Sequence, residues 1–451
     1  MSFFLERLMG VEPTYAAWEA AVLPMNYSRE WTTRFIIAHL FRKCKAKNVV
    51  LLSFSPSGMK AVQRSYLSSN AHTRGITMKK LFALLGAVLL LGTSVQAVEV
   101  AAPSALLMEK ETGTILYAKD EHARLEPASV TKIMTILLTM EAIESGQLSY
   151  DTLITASAHA CSMGGSQIWL RENEQMSVED MLKAVCVVSA NDCAVALGEA
   201  ISGSETAFVE KMNQRAAELG MKDTTFQNAT GLPAENHVTS AHDIALMSRE
   251  LILKHPEIRQ YTTIWMDTLR GGASSLVNTN KLIRFYEGAT GLKTGSTDSA
   301  LYCLSATAER DGMELIAVIM KDATSAQRFE DAKTLLTHGF STYTLKKAVP
   351  ETPLAPIPVV LGTQATVQPV LGEGSTLLLE KSKAADLRQA VTLIESIDAP
   401  VETGDPLGTL TVTAGEEILA EIPLLAGESI PKVTYRQMLL RLLKTAFLAE
   451  R

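Results

Sequence analysis

Residues 126–134 read Glu126-Pro127-Ala128-Ser129-Val130-Thr131-Lys132-Ile133-Met134, and an apolar run through Ile136, Leu137, Leu138, Met140 and Ile143 follows at once. After Lys132 no charge appears until Glu141, so the pattern predicts a helix buried on most of its faces. Ser129 falls at the start of that helix, where serine is favoured because backbone N–H groups lack partners. The i, i+3 spacing places the Ser129 hydroxyl and the Lys132 amine on one face. A lysine against a buried helix is hard to solvate. Its ammonium form is disfavoured, its pKa falls, and the neutral amine can take a proton from serine.

The same nine residues also fit an N-cap serine followed by an ordinary surface lysine. Ser57-Gly58-Met59-Lys60 and Ser429-Ile430-Pro431-Lys432 repeat the spacing elsewhere in the chain. The pattern therefore needs partners, and two other stretches supply them. Ser189-Ala190-Asn191-Asp192 lies between two apolar helical runs, residues 178–188 and 193–201. Polar groups in such a place cost free energy unless paired, so they pair with each other or serve a site. Lys293-Thr294-Gly295-Ser296 begins or lies on a strand that precedes two further strand patterns, 301–307 and 315–320, joined by an Arg310-Asp311-Gly312 hairpin turn. Lysine there offers a positive charge, threonine a hydroxyl, and glycine a close approach for a ligand.

Each motif alone is weak; all three, in this order and on these elements, are a signature. Ser-x-x-Lys, Ser-x-Asn and Lys-Thr-Gly together mark penicillin-binding proteins and class A β-lactamases. The chain resembles the low-molecular-weight penicillin-binding proteins, the serine-type D-alanyl-D-alanine carboxypeptidases, from about Ala102 to Phe340. The likeness extends to Gly164-Gly165-Ser166, Met212-Asn213, Asn278-Thr279-Asn280, Arg328-Phe329 and Gly339-Phe340. It departs at Ala300-Leu301, where the family usually has Ala-Gly.

The resemblance implies an α/β (α+β) fold: a β-lactamase/transpeptidase-like catalytic domain with an antiparallel sheet and helices, followed by an all-β domain. It implies Ser129 as nucleophile, Lys132 as base, Ser189 as proton carrier and Asn191 as holder of Lys132 and of the substrate amide. Lys293 and Thr294 would bind the terminal carboxylate beside Gly295, and the backbone N–H groups of Ser129 and Ser296 would bind the oxyanion. The implied substrates are peptidoglycan stem peptides ending in D-Ala-D-Ala, with β-lactams as trapping ligands and no metal or cofactor. A class A β-lactamase would want a Glu-x-x-Leu-Asn loop, which the chain lacks. The same site residues are also compatible with a DD-endopeptidase or transpeptidase, and with a non-catalytic penicillin sensor.

Composition agrees with a globular enzyme of two or three domains: 451 residues, 47% hydrophobic and 20% charged. A net charge of −7 and the lack of a basic, aromatic-interleaved patch argue against a nucleic-acid partner. Lys79, Lys80, the apolar 81–91 and Val95-Gln96-Ala97 read as a secretory signal within residues 78–97. Because Met78 immediately precedes it, residues 1–77 are expected to be an upstream extension that is not part of the natural protein or is disordered. The expected location is extracytoplasmic and peripheral on the cell membrane. Cys161, Cys186, Cys193 and Cys303 form no C-x-x-C pair, and Cys186 and Cys193 lie seven apart in an expected helix, so buried free thiols are the expectation.

The catalytic domain is expected over 98–348. Pro350, Pro353, Pro356 and Pro358 then read as a linker into a β-rich domain, 352–433, arranged as a sandwich. Residues 434–451 end the chain as a basic amphipathic helix: Tyr435, Met438, Leu439, Leu442, Leu443 and Ala446 on one side, Arg441, Lys444 and Arg451 opposite. That pattern fits attachment to the outer face of the cytoplasmic membrane.

Overall fold

In the computed structural model the described residues are 51–55, 58–62 and 98–448. The first two form a separate antiparallel hairpin, Leu51–Ser55 with Gly58–Val62, in a segment whose sequence shows no sustained period. The signal at 78–97 lies outside the described residues.

The catalytic part is built on a five-stranded antiparallel sheet. Its strands are β1 (Ser104–Glu109), β2 (Ile115–Lys119), β3 (Ala289–Thr297), β4 (Leu301–Arg310) and β5 (Met313–Asp322), in the order β2-β1-β5-β4-β3. The two central strands, β1 and β5, are buried on both faces, and the period of two divides their side chains between two cores. Leu106, Met108, Ile316, Val318 and Met320 face the helical side. Ala105, Leu107, Leu315, Ala317 and Ile319 face Phe329, Leu335, Leu336 and Phe340 on the long helix that follows β5. The β4–β5 turn is Asp311-Gly312 with φ of 51° and 75°, the left-handed pair a tight hairpin requires.

The helical side holds α1 (Lys132–Glu144), α2 (Val178–Val188), α3 (Asn191–Ser202), α4 (Glu205–Glu218) and α5 (Ala241–Lys254); the helix after β5 is α6 (Ser325–Thr342). Every residue of α1 from Lys132 to Met140 is buried, as the absence of charge between Lys132 and Glu141 predicts. Ser177 caps α2 by accepting from the Asp180 N–H at 3.1 Å.

Three expectations are corrected. Ser129 is not an N-cap: Ala128–Thr131 is a 3₁₀ turn with no side-chain cap, and the α-helix begins only at Lys132. Cys186 and Cys193 do not share a helix, since α2 ends at Ser189, whose φ of 66° breaks the run before α3. Nor does the second part begin cleanly after a linker. The strand β6 (Tyr343–Lys347), which continues from α6, pairs with β8 (Thr376–Glu380).

The C-terminal part is all-β. Its main sheet joins β7 (Pro369–Leu371), β9 (Leu387–Leu393), β10 (Pro406–Ala414) and β11 (Glu417–Ala426) in the order β7-β11-β10-β9. A smaller three-stranded sheet around Ile357–Val360 contains one parallel pair, with Ile397–Asp398. The helix α7 (Tyr435–Leu448) ends the described chain.

Candidate active site

Ser129 sits on a sharp turn. Ala128 before it has φ of 47°, and the Val130 N–H closes the turn on the Pro127 carbonyl at 3.2 Å. In a 3₁₀ turn the side chains at i and i+3 eclipse. Lys132 Nζ accordingly stands 2.9 Å from Ser129 Oγ.

Lys132 is completely buried and lacks a carboxylate partner among the described residues; its other hydrogen bond goes to the Thr230 carbonyl at 2.7 Å. Burial holds its pKa well below the ordinary lysine value, the charge of Lys293 pushes the same way, and Asp192 pulls weakly upward. Thr230 is itself fixed. The Asn228 side chain accepts from the N–H groups of Thr230 at 3.1 Å and Gly231 at 2.7 Å, and Thr135 Oγ1 donates to the Ala229 carbonyl at 2.7 Å. On the far side, the Gln227 N–H donates to His237 Nδ1 at 3.2 Å, which leaves Nε2 to donate to Thr131 Oγ1 at 2.8 Å. Burial and the neighbouring Lys132 lower the His237 pKa to about 4, so this imidazole is neutral at physiological pH.

Ser189 and Asn191 occupy the α2–α3 junction, both buried. Asn191 is gripped by the 164–166 loop: its Nδ2 donates to the Gly164 carbonyl at 2.6 Å and its backbone N–H to the Ser166 carbonyl at 2.7 Å. The Ser189 Oγ and the Asn191 Oδ1 have no hydrogen-bond partner among the described residues. A buried polar atom without a partner is left for a water or a ligand to satisfy.

On the sheet side, Lys293 and Thr294 are buried on β3, the sheet's edge strand, and Ser296 is exposed beyond them. Burial brings the Lys293 pKa down to about 7. Its Nζ donates to the Thr294 carbonyl at 2.9 Å, and Thr294 Oγ1 meets Thr279 Oγ1 at 2.7 Å. Gly295 lies against the Ser129 turn. A Cβ there would come within 3.0 Å of the Ser129 and Val130 nitrogens and 2.8 Å of the Pro127 oxygen, so any other residue would push β3 off Ser129. Behind it, Arg328 Nη1 donates to the Gly295 carbonyl at 2.9 Å and the Cys303 carbonyl at 3.2 Å.

The structure thus brings Ser129, Lys132, Lys293 and Gly295 into mutual contact or electrostatic reach, and sets Ser189 and Asn191 beside Asp192, whose charge Lys132 feels. The sequence reading missed Thr230, His237, Thr279 and Arg328 as parts of the site. Thr230 acts through its backbone, which residue type does not report. Thr279 and Arg328 were visible only as points of family likeness. At Leu301, the departure from the usual glycine, the backbone still takes φ of 53°; leucine holds this left-handed conformation at about 1–2 kcal/mol.

A serine on a strained turn, a buried lysine 2.9 Å from its hydroxyl and a second buried lysine on the adjoining edge strand form the arrangement of an acyl-transferring serine enzyme of the penicillin-binding type. Residues 92–324 match the D-alanyl-D-alanine carboxypeptidase family and residues 340–432 the C-terminal domain of penicillin-binding protein 5. The chain belongs to the D-alanyl-D-alanine carboxypeptidase family. The D-alanyl-D-alanine carboxypeptidase DacF of Bacillus subtilis (strain 168) is 41% identical over 345 residues, covering 75% of this chain and 88% of that protein. Penicillin-binding protein 5 from Haemophilus influenzae superposes with a TM-score of 0.65 at 29% identity, over 74% of this chain and 98% of that one. Penicillin-binding protein D2 from Listeria monocytogenes, in its ampicillin-bound form, gives a TM-score of 0.50 at 34% identity, over 54% of this chain and 99% of that one. The protein is a serine-type D-Ala-D-Ala carboxypeptidase acting in cell-wall maturation.

Proposed function

We propose that Ser129 is the nucleophile that removes the terminal D-alanine from peptidoglycan stem peptides, through an acyl-enzyme. The observation that supports it best is the 2.9 Å approach of the fully buried Lys132 Nζ to Ser129 Oγ. In its neutral form Lys132 donates to the Thr230 carbonyl and uses its lone pair to accept the Ser129 proton, a general-base step worth about 10²–10⁴-fold. Ser129 Oγ attacks the carbonyl of the penultimate D-Ala. The oxyanion meets the backbone N–H groups of Ser129 and Ser296, each donor worth about 2.7–4 kcal/mol.

Ser189 passes the proton to the leaving D-alanine nitrogen, and Asn191 holds the acyl-side amide. Lys293 and Thr294 bind the terminal carboxylate, whose arrival favours the ammonium form that burial had weakened. The substrate backbone extends the sheet along β3. Water then attacks the acyl-enzyme, restoring Ser129. β-Lactams, which present a strained amide and a carboxylate to the same groups, acylate Ser129 and stay.

We further propose export by the 78–97 segment and attachment to the outer face of the cytoplasmic membrane through residues 435–451. The test of the chemistry incubates residues 98–451 with a peptide ending in D-Ala-D-Ala and measures released D-alanine. Ser129→Ala is expected to abolish release and covalent penicillin labelling; release that survives the substitution would overturn the assignment.

A further inference from the structure

The loop that grips Asn191 continues into an arrangement that the chemistry above does not use. Ile168 and Leu170 are buried, and their N–H groups donate to the Asp192 carboxylate at 3.1 and 3.0 Å. Trp169 between them has φ of 62°, and its side chain is 73% exposed. A bulky residue at positive φ is strained, and strain of this kind persists only where the surroundings enforce it. They do so from both sides. Asp192, one residue from Asn191, fixes the flanking amides. Arg270, itself at φ of 54°, donates from Nη1 to the Ile168 carbonyl at 2.8 Å and from Nε to Glu174 at 2.7 Å. Two strained residues from two separate segments are thus locked together, and the product is an indole held in water on the loop that grips Asn191. The cavity it borders has a volume of about 670 Å³ and is also lined by Arg171, Glu172 and Ser274.

We propose that Trp169 is a substrate-binding residue that covers the side chain of the diamino acid preceding D-Ala-D-Ala in the stem peptide. The inference rests on the role given above to Asn191. If Asn191 holds the amide of the penultimate D-Ala, the residue before it emerges along the 164–170 loop. A diamino acid carries a long aliphatic stem with a charged end. The indole face covers such a stem and attracts an ammonium group. Glu172 adds an anion beside it, and Arg171 answers a carboxylate where the side chain ends in one.

The test compares two peptides of equal backbone length, acetyl-L-Lys-D-Ala-D-Ala and acetyl-Gly-D-Ala-D-Ala, by their kcat/KM for D-alanine release. In Trp169→Gly, which removes the ring and relaxes the backbone, the ratio of lysyl to glycyl substrate is expected to fall about fivefold. Trp169→Phe should retain at least half of the wild-type ratio. An unchanged ratio in Trp169→Gly overturns the proposal, including the case in which both rates fall together. Penicillin acylation of each variant reports an intact Ser129 site; if the glycine variant fails it, Trp169→Asn, which tolerates the same φ, reads the same ratio. Wild-type enzyme that releases D-alanine from neither peptide overturns the carboxypeptidase chemistry and the subsite with it, an outcome distinct from an unchanged ratio.

Discussion

Gly231 and Ala128 lie so close that a Cβ on Gly231 would come within 1.8 Å of the Ala128 carbonyl oxygen. The contact joins the turn that carries Ser129 to the turn that holds Lys132, because Gly231 follows Thr230, whose carbonyl accepts from Lys132. Gly231 also has φ of 83°. Gly231→Ala must therefore adopt a left-handed conformation at about 1–2 kcal/mol and separate the two turns as well. A displacement of about 1 Å between reacting groups can cost 10²-fold in rate. Acylation by a fluorescent penicillin is expected to fall at least about 100-fold, with the circular dichroism of the folded chain retained. Acylation within about threefold of wild type would show that the contact does not set the geometry of Lys132.

The two buried lysines make opposite demands on pH. In the proposed mechanism Lys132 must be neutral to act, so activity rises with pH as Lys132 loses its proton, below the ordinary lysine range. The proposed carboxylate clamp needs Lys293 charged, and its pKa of about 7 in the free enzyme makes kcat/KM fall as pH rises through that value. Lys293→Arg keeps its charge, so the alkaline limb is expected to disappear below about pH 9. Stability follows the same groups. The folded Lys293 pKa lies below the unfolded value, so between about pH 7 and 10.5 the unfolded state binds more protons and stability rises with pH. Denaturant titrations of Lys293→Met should show a flatter slope across that window. An alkaline limb unmoved in Lys293→Arg would assign it to another group.

Ser189 separates activity from stability. Its Oγ is buried without a partner and its backbone sits at φ of 66°. Ser189→Gly removes an unsatisfied polar group and relieves about 1–2 kcal/mol of strain. Glycine's extra unfolded-state entropy returns about 0.5–1 kcal/mol of that. Thermal denaturation should give a Tm equal to wild type or slightly higher, while D-alanine release falls about 100-fold or more through loss of proton transfer. A Tm lowered by more than about 5 °C would make the hydroxyl structural.

These relationships show which parts of the site a sequence can display. The charge-free apolar run of α1 is written in its side chains, so the buried helix was legible, whereas the antiparallel sheet with its helices came only with the family resemblance. Ser129, Lys132, Ser189, Asn191 and Lys293 were legible as motifs. The reason Ser129 and Lys132 meet was not, because the 3₁₀ turn comes from backbone angles at Ala128 and from the packing of Gly231, which is distant along the chain. Backbone acceptors such as the Thr230 and Gly164 carbonyls carry no residue signature at all. The β6–β8 pairing was hidden for a related reason. Its partners are short and half-buried, and the prolines between them read as a boundary.

The C-terminal helix supplies the remaining test. Arg441 is tied to the β-rich part, its guanidinium donating to the Gly362 carbonyl at 3.0 Å and the Thr363 carbonyl at 2.6 Å. The leucines beside it are not tied down: Leu439, Leu440, Leu442 and Leu443 are all exposed, as is Tyr435. A helix docked on its own domain would hide those side chains. Among the described residues no helix is long and apolar enough to cross a membrane. Arg436, Arg441 and Lys444 add attraction to anionic headgroups. Cosedimentation with vesicles containing anionic lipid should retain residues 98–451 and release residues 98–434, with binding weakened by salt. Replacing Leu439, Leu442 and Leu443 with serine should release the full chain while leaving its penicillin acylation rate unchanged. Equal binding of the long and short chains would remove the helix from the proposed attachment and leave it as a cap on the β-rich part.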